Sequence, residues 1–161
     1  GRVVIPKEIR RTLKIREGEP MELFTEAGGS VIFRKYSPAG EQSAIAADLC
    51  EALYRTSGRP AAICDRDSII AAAGPLRREL ESKPISPALD AAMQTRQLQR
   101  KEGVALSPGV AGAEAAVIAP VIAGGDLCGC VALLQGEAPL GESEARLVQA
   151  AALFFSRQME G

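Results

Sequence analysis

Six cations fall within the first sixteen residues, Arg2, Lys7, Arg10, Arg11, Lys14 and Arg16, and a single anion, Glu8, opposes them. That stretch carries +5 in a chain of net charge −1, which leaves −6 for everything after it. A basic arm on an acidic body suits a phosphate backbone, because each neutralised phosphate releases condensed counterions. Catalytic chemistry finds less to work with. There is no histidine, and no Ser, Lys or Cys stands in a recognisable nucleophile motif, so the chain is not read as an enzyme. The four cysteines, Cys50, Cys64, Cys128 and Cys130, lack C-x-x-C spacing and any histidine to complete a zinc set. They read as reduced, small core residues. Cys128 and Cys130, two apart on a strand, would share a face, a poor arrangement for a disulfide. No cofactor is expected: between Arg55 and Leu153 there is no Phe, Tyr or Trp to stack on a purine or a tetrapyrrole. A small polar or aliphatic ligand stays open, with Asp65, Arg66, Asp67, Arg77 and Arg78 as the available charges, although Asp65 and Asp67 read first as turn formers. Gly124-Gly125-Asp126 lacks the spacing of a phosphate loop and reads as a hairpin turn.

These groups need elements to hold them. Val3-Val4-Ile5 is a short β-branched run, and Pro6 suits the first turn of a helix, where its missing N–H would be unpaired anyway. On that helix Ile9 and Leu13 share one face, and Lys7, Arg10, Arg11 and Lys14 cluster on the other. It should end near Gly18 and Pro20. Met21 to Glu26 and Ser30 to Tyr36 read as two strands about the turn Ala27-Gly28-Gly29, and Ser37-Pro38-Ala39-Gly40 as a linker. Glu41 to Ser57 reads as a helix with two apolar stripes, one of Ile45, Leu49, Ala52 and Leu53, the other of Ala47, Cys50 and Tyr54. Strands are expected over Ala61 to Asp65 and Ser68 to Ala73, then a helix from Ile85 to about Arg96. A strongly apolar hairpin should join Ala115 to Ala123 with Leu127 to Gln135. A last helix from about Glu142 to Met159 again carries two stripes: Val148, Ala151, Ala152, Phe155 and Met159, beside Leu147, Ala150 and Phe154. Because each flanking helix is apolar over a wider arc than one sheet contact needs, Ile45, Leu49, Leu53, Val148, Ala152, Phe155 and Met159 are expected at a helix-to-helix interface between copies. With no run of about 18 apolar residues, no membrane span and no membrane partner are expected, and a cytoplasmic location is.

The run Gly1-Arg-Val-Val-Ile-Pro-Lys-Glu-Ile-Arg-Arg-Thr-Leu-Lys-Ile15, with Glu17-Gly-Glu-Pro-Met-Glu-Leu-Phe24 and Val31-Ile-Phe-Arg-Lys-Tyr-Ser-Pro38, resembles the AbrB-type swapped-hairpin DNA-binding domain. Ile63-Cys-Asp-Arg-Asp67, Ala119-Pro-Val-Ile-Ala-Gly-Gly-Asp126, Gly141-Glu142 and Ser156-Arg-Gln-Met-Glu160 look like the stage V sporulation protein T family, in which such a domain is joined to a GAF domain. The resemblance implies an α+β chain. A small swapped-hairpin β-barrel segment over 1–37 is followed by a linker over 38–42 and a GAF-like α/β/α sensor domain over 43–161 with flanking oligomerisation helices. It implies a regulator of sporulation genes in an endospore-forming bacterium, activating or repressing. The partners implied are double-stranded DNA and further copies of the chain, a dimer through the N-terminal domain and a tetramer through the flanking helices. Arg2, Arg10 and Arg11 carry over as DNA-contacting, and Lys7 and Lys14 share the cationic face and add phosphate attraction. The family has one more strand ahead of its Leu-Gly-Arg-Val-Val run, and this chain starts at that Gly. The expectation is an N-terminally truncated barrel lacking its first strand, with weakened DNA binding. The same barrel also serves antitoxins, so a protein-interaction module is the alternative, set against about 120 patterned residues after the linker where an antitoxin tail is short and disordered.

Overall fold

A computed structural model describes residues 1–18, 20–35 and 39–160. The chain divides into two compact units, Gly1–Ala39 and Gly40–Gly161.

In the first unit, helix α1 (Lys7–Thr12) follows Pro6 and leads to the antiparallel hairpin of β1 (Met21–Thr25) and β2 (Val31–Lys35). The helix ends on a paired cap. Ile15 N–H donates to Arg10 O at 2.8 Å and Lys14 N–H to Arg11 O at 3.3 Å, with Lys14 in the left-handed region at φ 52°. This is the Schellman arrangement, in which glycine usually holds the left-handed position. Val3-Val4-Ile5 lies outside any strand. The two strands form an open hairpin, so one chain does not close the expected barrel. Tyr36, Ser37 and Pro38, which end the expected strand and open the expected linker, lie outside the described residues. Ala39 and Gly40, expected as linker, are instead the first residues of a helix.

The second unit contains α2 (Ala39–Ser57), β3 (Ala61–Cys64), β4 (Ile69–Ala73), α3 (Arg77–Leu80), α4 (Pro87–Gln94), β5 (Val104–Ala105), β6 (Glu114–Ala123), β7 (Asp126–Leu134) and α5 (Glu142–Glu160). The five strands form one antiparallel sheet in the order β4-β3-β7-β6-β5. Both of its faces are covered, which is why its central strands read as continuous apolar runs. Alternation along them sorts side chains into two cores. Ile63, Val131 and Leu133 face α2 and α5, while Ala62, Cys130, Ala132 and Leu134 join Leu80 of α3 and Leu89 and Met93 of α4. On β6 the register shift between Ala115 and Val117 changes the phase, so Ala115 and Ile118 face one core and Val117, Ala119 and Val121 the other. The β6–β7 hairpin turns over Gly124 and Gly125, with φ of 58° and 84°. Two consecutive left-handed residues are what the common two-residue turn requires, and glycine adopts them without strain.

Two short elements, α3 and β5, were not expected from sequence. Helix α4 begins at Pro87 and not Ile85, because Ser86 caps it: its Oγ accepts from Leu89 N–H at 2.9 Å and donates to Ala105 O. Arg59, buried at the start of β3, has its Nε 2.6 Å from Glu144 Oε2 on α5, and its guanidinium also donates to Leu134 O and Ala138 O.

Candidate functional site

In the first unit, Lys7, Arg10 and Arg11 project from α1, Lys14 occupies its cap and Arg2 precedes it, and all five side chains are exposed. Glu8 is the acidic residue of the first turn and Arg10 and Arg11 the basic residues of the last, which complements the helix dipole. The helix carries no buried residue, and Ile9 and Leu13, expected to form its apolar face, are 46% and 52% exposed. The hairpin repeats the pattern. Leu23 opposite Phe33 and Thr25 opposite Val31 line one face, and Phe24 opposite Ile32 lies on the other. Leu23, Phe24, Val31 and Phe33 are all exposed, and Arg34 stacks over Phe24 at 5.3 Å from the ring centre. Among the described residues of this unit none is buried. A basic helix is thus presented by a scaffold whose apolar side chains are uncovered on both faces.

In the second unit, the space between the sheet and α4 is filled by Leu80, Leu89, Met93, Leu106, Ile118 and Leu134, all fully buried. Of the charges held open for a ligand, Asp65 is taken up in a turn, its Oδ1 accepting from Asp67 N–H and Ser68 N–H, each at 2.7 Å. Arg66 and Asp67 instead border an open hollow with Ser86 and Asp90. Arg77 pairs with Glu81 at 3.0 Å, and Arg78 lies beside Glu79 and Lys83 at a second hollow. Among the described residues no group of three or more His, Cys, Asp or Glu could hold a metal ion.

The expected helix interface is corrected in its facing. Leu53, Val148, Ala152 and Phe155 are 5% exposed or less and pack on the sheet, so they belong to the core of a single chain. Ile45, Leu49 and Met159 are half-buried at its margin. The outward apolar residues of α5 are Leu153, 60% exposed, and Phe154, 50% exposed. A groove of about 230 Å³ runs between α2 and α5, lined by Leu49, Ala52, Leu147, Ala150 and Phe154 among others. Both stripes of α5 are apolar in the sequence, and nothing in their composition says which one the sheet takes.

The cysteines are free. Burial, with Glu81 adding to it, pushes the Cys50 thiol up to about 12. The contact with Cys64 and then burial raise the Cys130 thiol as well.

The arrangement defines a class: a small AbrB- or MazE-type hairpin unit carrying a basic helix, joined to a GAF-fold unit. Residues 1–41 match the family described as antidote-toxin recognition MazE, bacterial antitoxin, and residues 41–160 match stage V sporulation protein T C-terminal, transcription factor. The chain belongs to the stage V sporulation protein T family. It is 41% identical over 164 residues to stage V sporulation protein T of Bacillus subtilis, covering 99% of this chain and 92% of that protein. Among solved structures it is similar to the second GAF domain of DevS from Mycobacterium smegmatis, with a TM-score of 0.58 and 16% identity over 73% of this chain and 91% of that one. The blue-light absorbing PixJ GAF domain of Thermosynechococcus elongatus gives a TM-score of 0.54 and 14% identity over 74% and 88%. At such identities these likenesses establish the fold alone.

Proposed function

We propose that the chain is a DNA-binding transcriptional regulator of sporulation genes in an endospore-forming bacterium, with Arg2, Arg10 and Arg11 at the DNA and Lys7 and Lys14 adding phosphate contacts. Membership in a family of sporulation transcription factors supports the regulatory role. The observation that carries the DNA assignment is the exposed cationic side of α1 on a unit with no buried residue among those described. A unit of that kind cannot offset its ordering entropy alone. A second copy covering Leu23, Phe24, Val31 and Phe33 would supply the core and set two basic helices side by side. Domain limits of 1–37 and 43–161 and a cytoplasmic setting belong to the same reading. Among the described residues no helix is long and apolar enough to cross a membrane.

The second unit, in this reading, joins dimers through α2 and α5, using the Leu153 and Phe154 side of α5 and the half-buried Ile45, Leu49 and Met159. Small-ligand sensing, in the same reading, falls to the hollow bordered by Arg66, Asp67 and Asp90, and the unit's role is non-catalytic. The match of residues 1–41 to an antitoxin family keeps a protein-interaction role as the second reading.

The test is fluorescence anisotropy on duplex DNA with the full chain and its Arg10→Ala/Arg11→Ala variant. The expected result is loss of detectable complex at unchanged circular dichroism and oligomer size, with wild-type affinity falling steeply between roughly 50 and 200 mM salt. Retained affinity in the double variant at equal salt would move the interface elsewhere. Failure of the wild-type chain to bind any duplex, together with tight capture of a small toxin, would favour the second reading.

A further inference from the structure

Two cysteines separated by most of the second unit meet inside it. Cys64 ends β3, Cys130 lies on β7, and the two are register partners in the antiparallel pairing of those strands. Their Sγ atoms are 3.1 Å apart and both side chains are buried. The backbone spacing at this position is also within a disulfide's reach. Leu134 N–H donates to Pro60 O at 2.8 Å, which makes Pro60 and Leu134 a hydrogen-bonded pair. Alternation then makes Ala62 with Ala132, and Cys64 with Cys130, hydrogen-bonded pairs too. Such pairs have Cα atoms about 5.5 Å apart, inside the roughly 4.4–6.8 Å that a disulfide spans. The approach is reinforced at the neighbouring position, where a Cβ on Gly129 would overlap the carbonyl oxygen of Cys64. Glycine there lets β7 lie tightly against the end of β3.

We propose that Cys64 and Cys130 form a redox-active dithiol, which a small peroxide converts into an intrachain cross-strand disulfide. Cys64 is the thiol oxidised first. It ends β3 beside the Asp65–Ser68 turn, where Arg66 and Asp67 are exposed, whereas Cys130 lies in the middle of β7, the central strand of the sheet. In the first step the Cys64 sulfur attacks one peroxide oxygen and the O–O bond breaks, leaving a sulfenic acid on Cys64 and releasing water. In the second step the Cys130 sulfur attacks the sulfenyl sulfur, the S–S bond forms and the S–O bond breaks. The departing hydroxide takes the Cys130 proton and leaves as water. Two thiols are oxidised by two electrons and one hydrogen peroxide is reduced to two waters. The sulfurs need only draw together from 3.1 Å to the roughly 2.0 Å of a covalent bond. The other two cysteines are placed differently: Cys50 lies in the opposite core and Cys128 Sγ donates to Asp126 O at 3.4 Å.

The experiment uses the full reduced chain in native buffer, exposed to hydrogen peroxide, quenched with an alkylating reagent and digested without reductant. The expected product is a Cys64–Cys130 crosslinked peptide from monomer-mass chain, lighter by two hydrogens, with the same crosslink in Cys128→Ala. Cys130→Ala should stop at a sulfenic acid on Cys64 that dimedone traps, and Cys64→Ala should leave Cys130 reduced. The wild-type measurement stands even if either alanine variant fails to fold. The proposal is overturned if both thiols stay reduced at a peroxide dose that oxidises Cys128, or if the crosslink joins Cys50, Cys128 or a second chain.

Discussion

Lys14 shows how two demands meet on one side chain. Its left-handed backbone closes the cap of α1, a position where a Cβ costs roughly 1 kcal/mol. The same residue adds charge beside Lys7, Arg10 and Arg11. Replacing it by glycine should therefore separate the two roles. Lys14→Gly is expected to stabilise the first unit by about 0.5–1 kcal/mol in denaturant unfolding, since strain relief exceeds the added flexibility of the unfolded chain. It should at the same time lower DNA affinity and reduce the slope of log affinity against log salt by about one, the signature of one lost phosphate contact. A variant that loses stability would show that the lysine side chain holds the cap together. The cationic cluster itself was legible in the sequence because charge asymmetry survives without any knowledge of packing. The Cys64–Cys130 contact was not, since it depends on which strands become neighbours, and the order β3-β7 joins positions with most of the second unit between them.

At the scale of elements, strong periodicity was read correctly and short elements were missed. The β6–β7 hairpin and both long helices announce themselves through length, alternation and a Gly-Gly turn. A four-residue α3 and a two-residue β5 are too short to show a period: α3 is a single turn held by local bonds such as Leu80 N–H to Leu76 O, and β5 exists only through its pairing with β6. Ser86 marks the point where local and tertiary order join, because its hydroxyl both caps α4 and reaches the carbonyl of Ala105 in β5. Ser86-Pro87 ahead of an apolar run is itself a helix start signal, and the expected start at Ile85 falls two residues short of it. Ser86→Ala removes the cap acceptor and the donor to the half-buried Ala105 carbonyl. The expected loss is about 1–3 kcal/mol of unfolding free energy, with the largest gain in amide exchange over the first turn of α4 and at β5. Ser86→Thr should keep most of it. Exchange rising uniformly across the second unit would mean that Ser86 holds no local junction.

Over the whole molecule, the facing of α5 decides what each phenylalanine does. Phe155 is 2% exposed on the sheet, and Phe154, one residue earlier, is 50% exposed beside the α2–α5 groove. Phe154→Glu is expected to reduce the assembly to a smaller species with unchanged circular dichroism, measured by size-exclusion chromatography with light scattering. Phe155→Glu should unfold the second unit, since it buries a charge with no partner. If Phe154→Glu keeps its full mass, copies do not meet through this side of α5. The sheet order has a further consequence, for synthesis on the ribosome. β7 is inserted between β3 and β6 and is the last strand made, so β3 and β4 emerge early and wait with one edge open until about Leu134 has left the exit tunnel. During that interval an apolar strand edge is available for pairing with another nascent chain. The rate of translation through residues 74–134 then sets how long the half-built sheet is at risk, and slow codons there would cost yield without altering the finished protein.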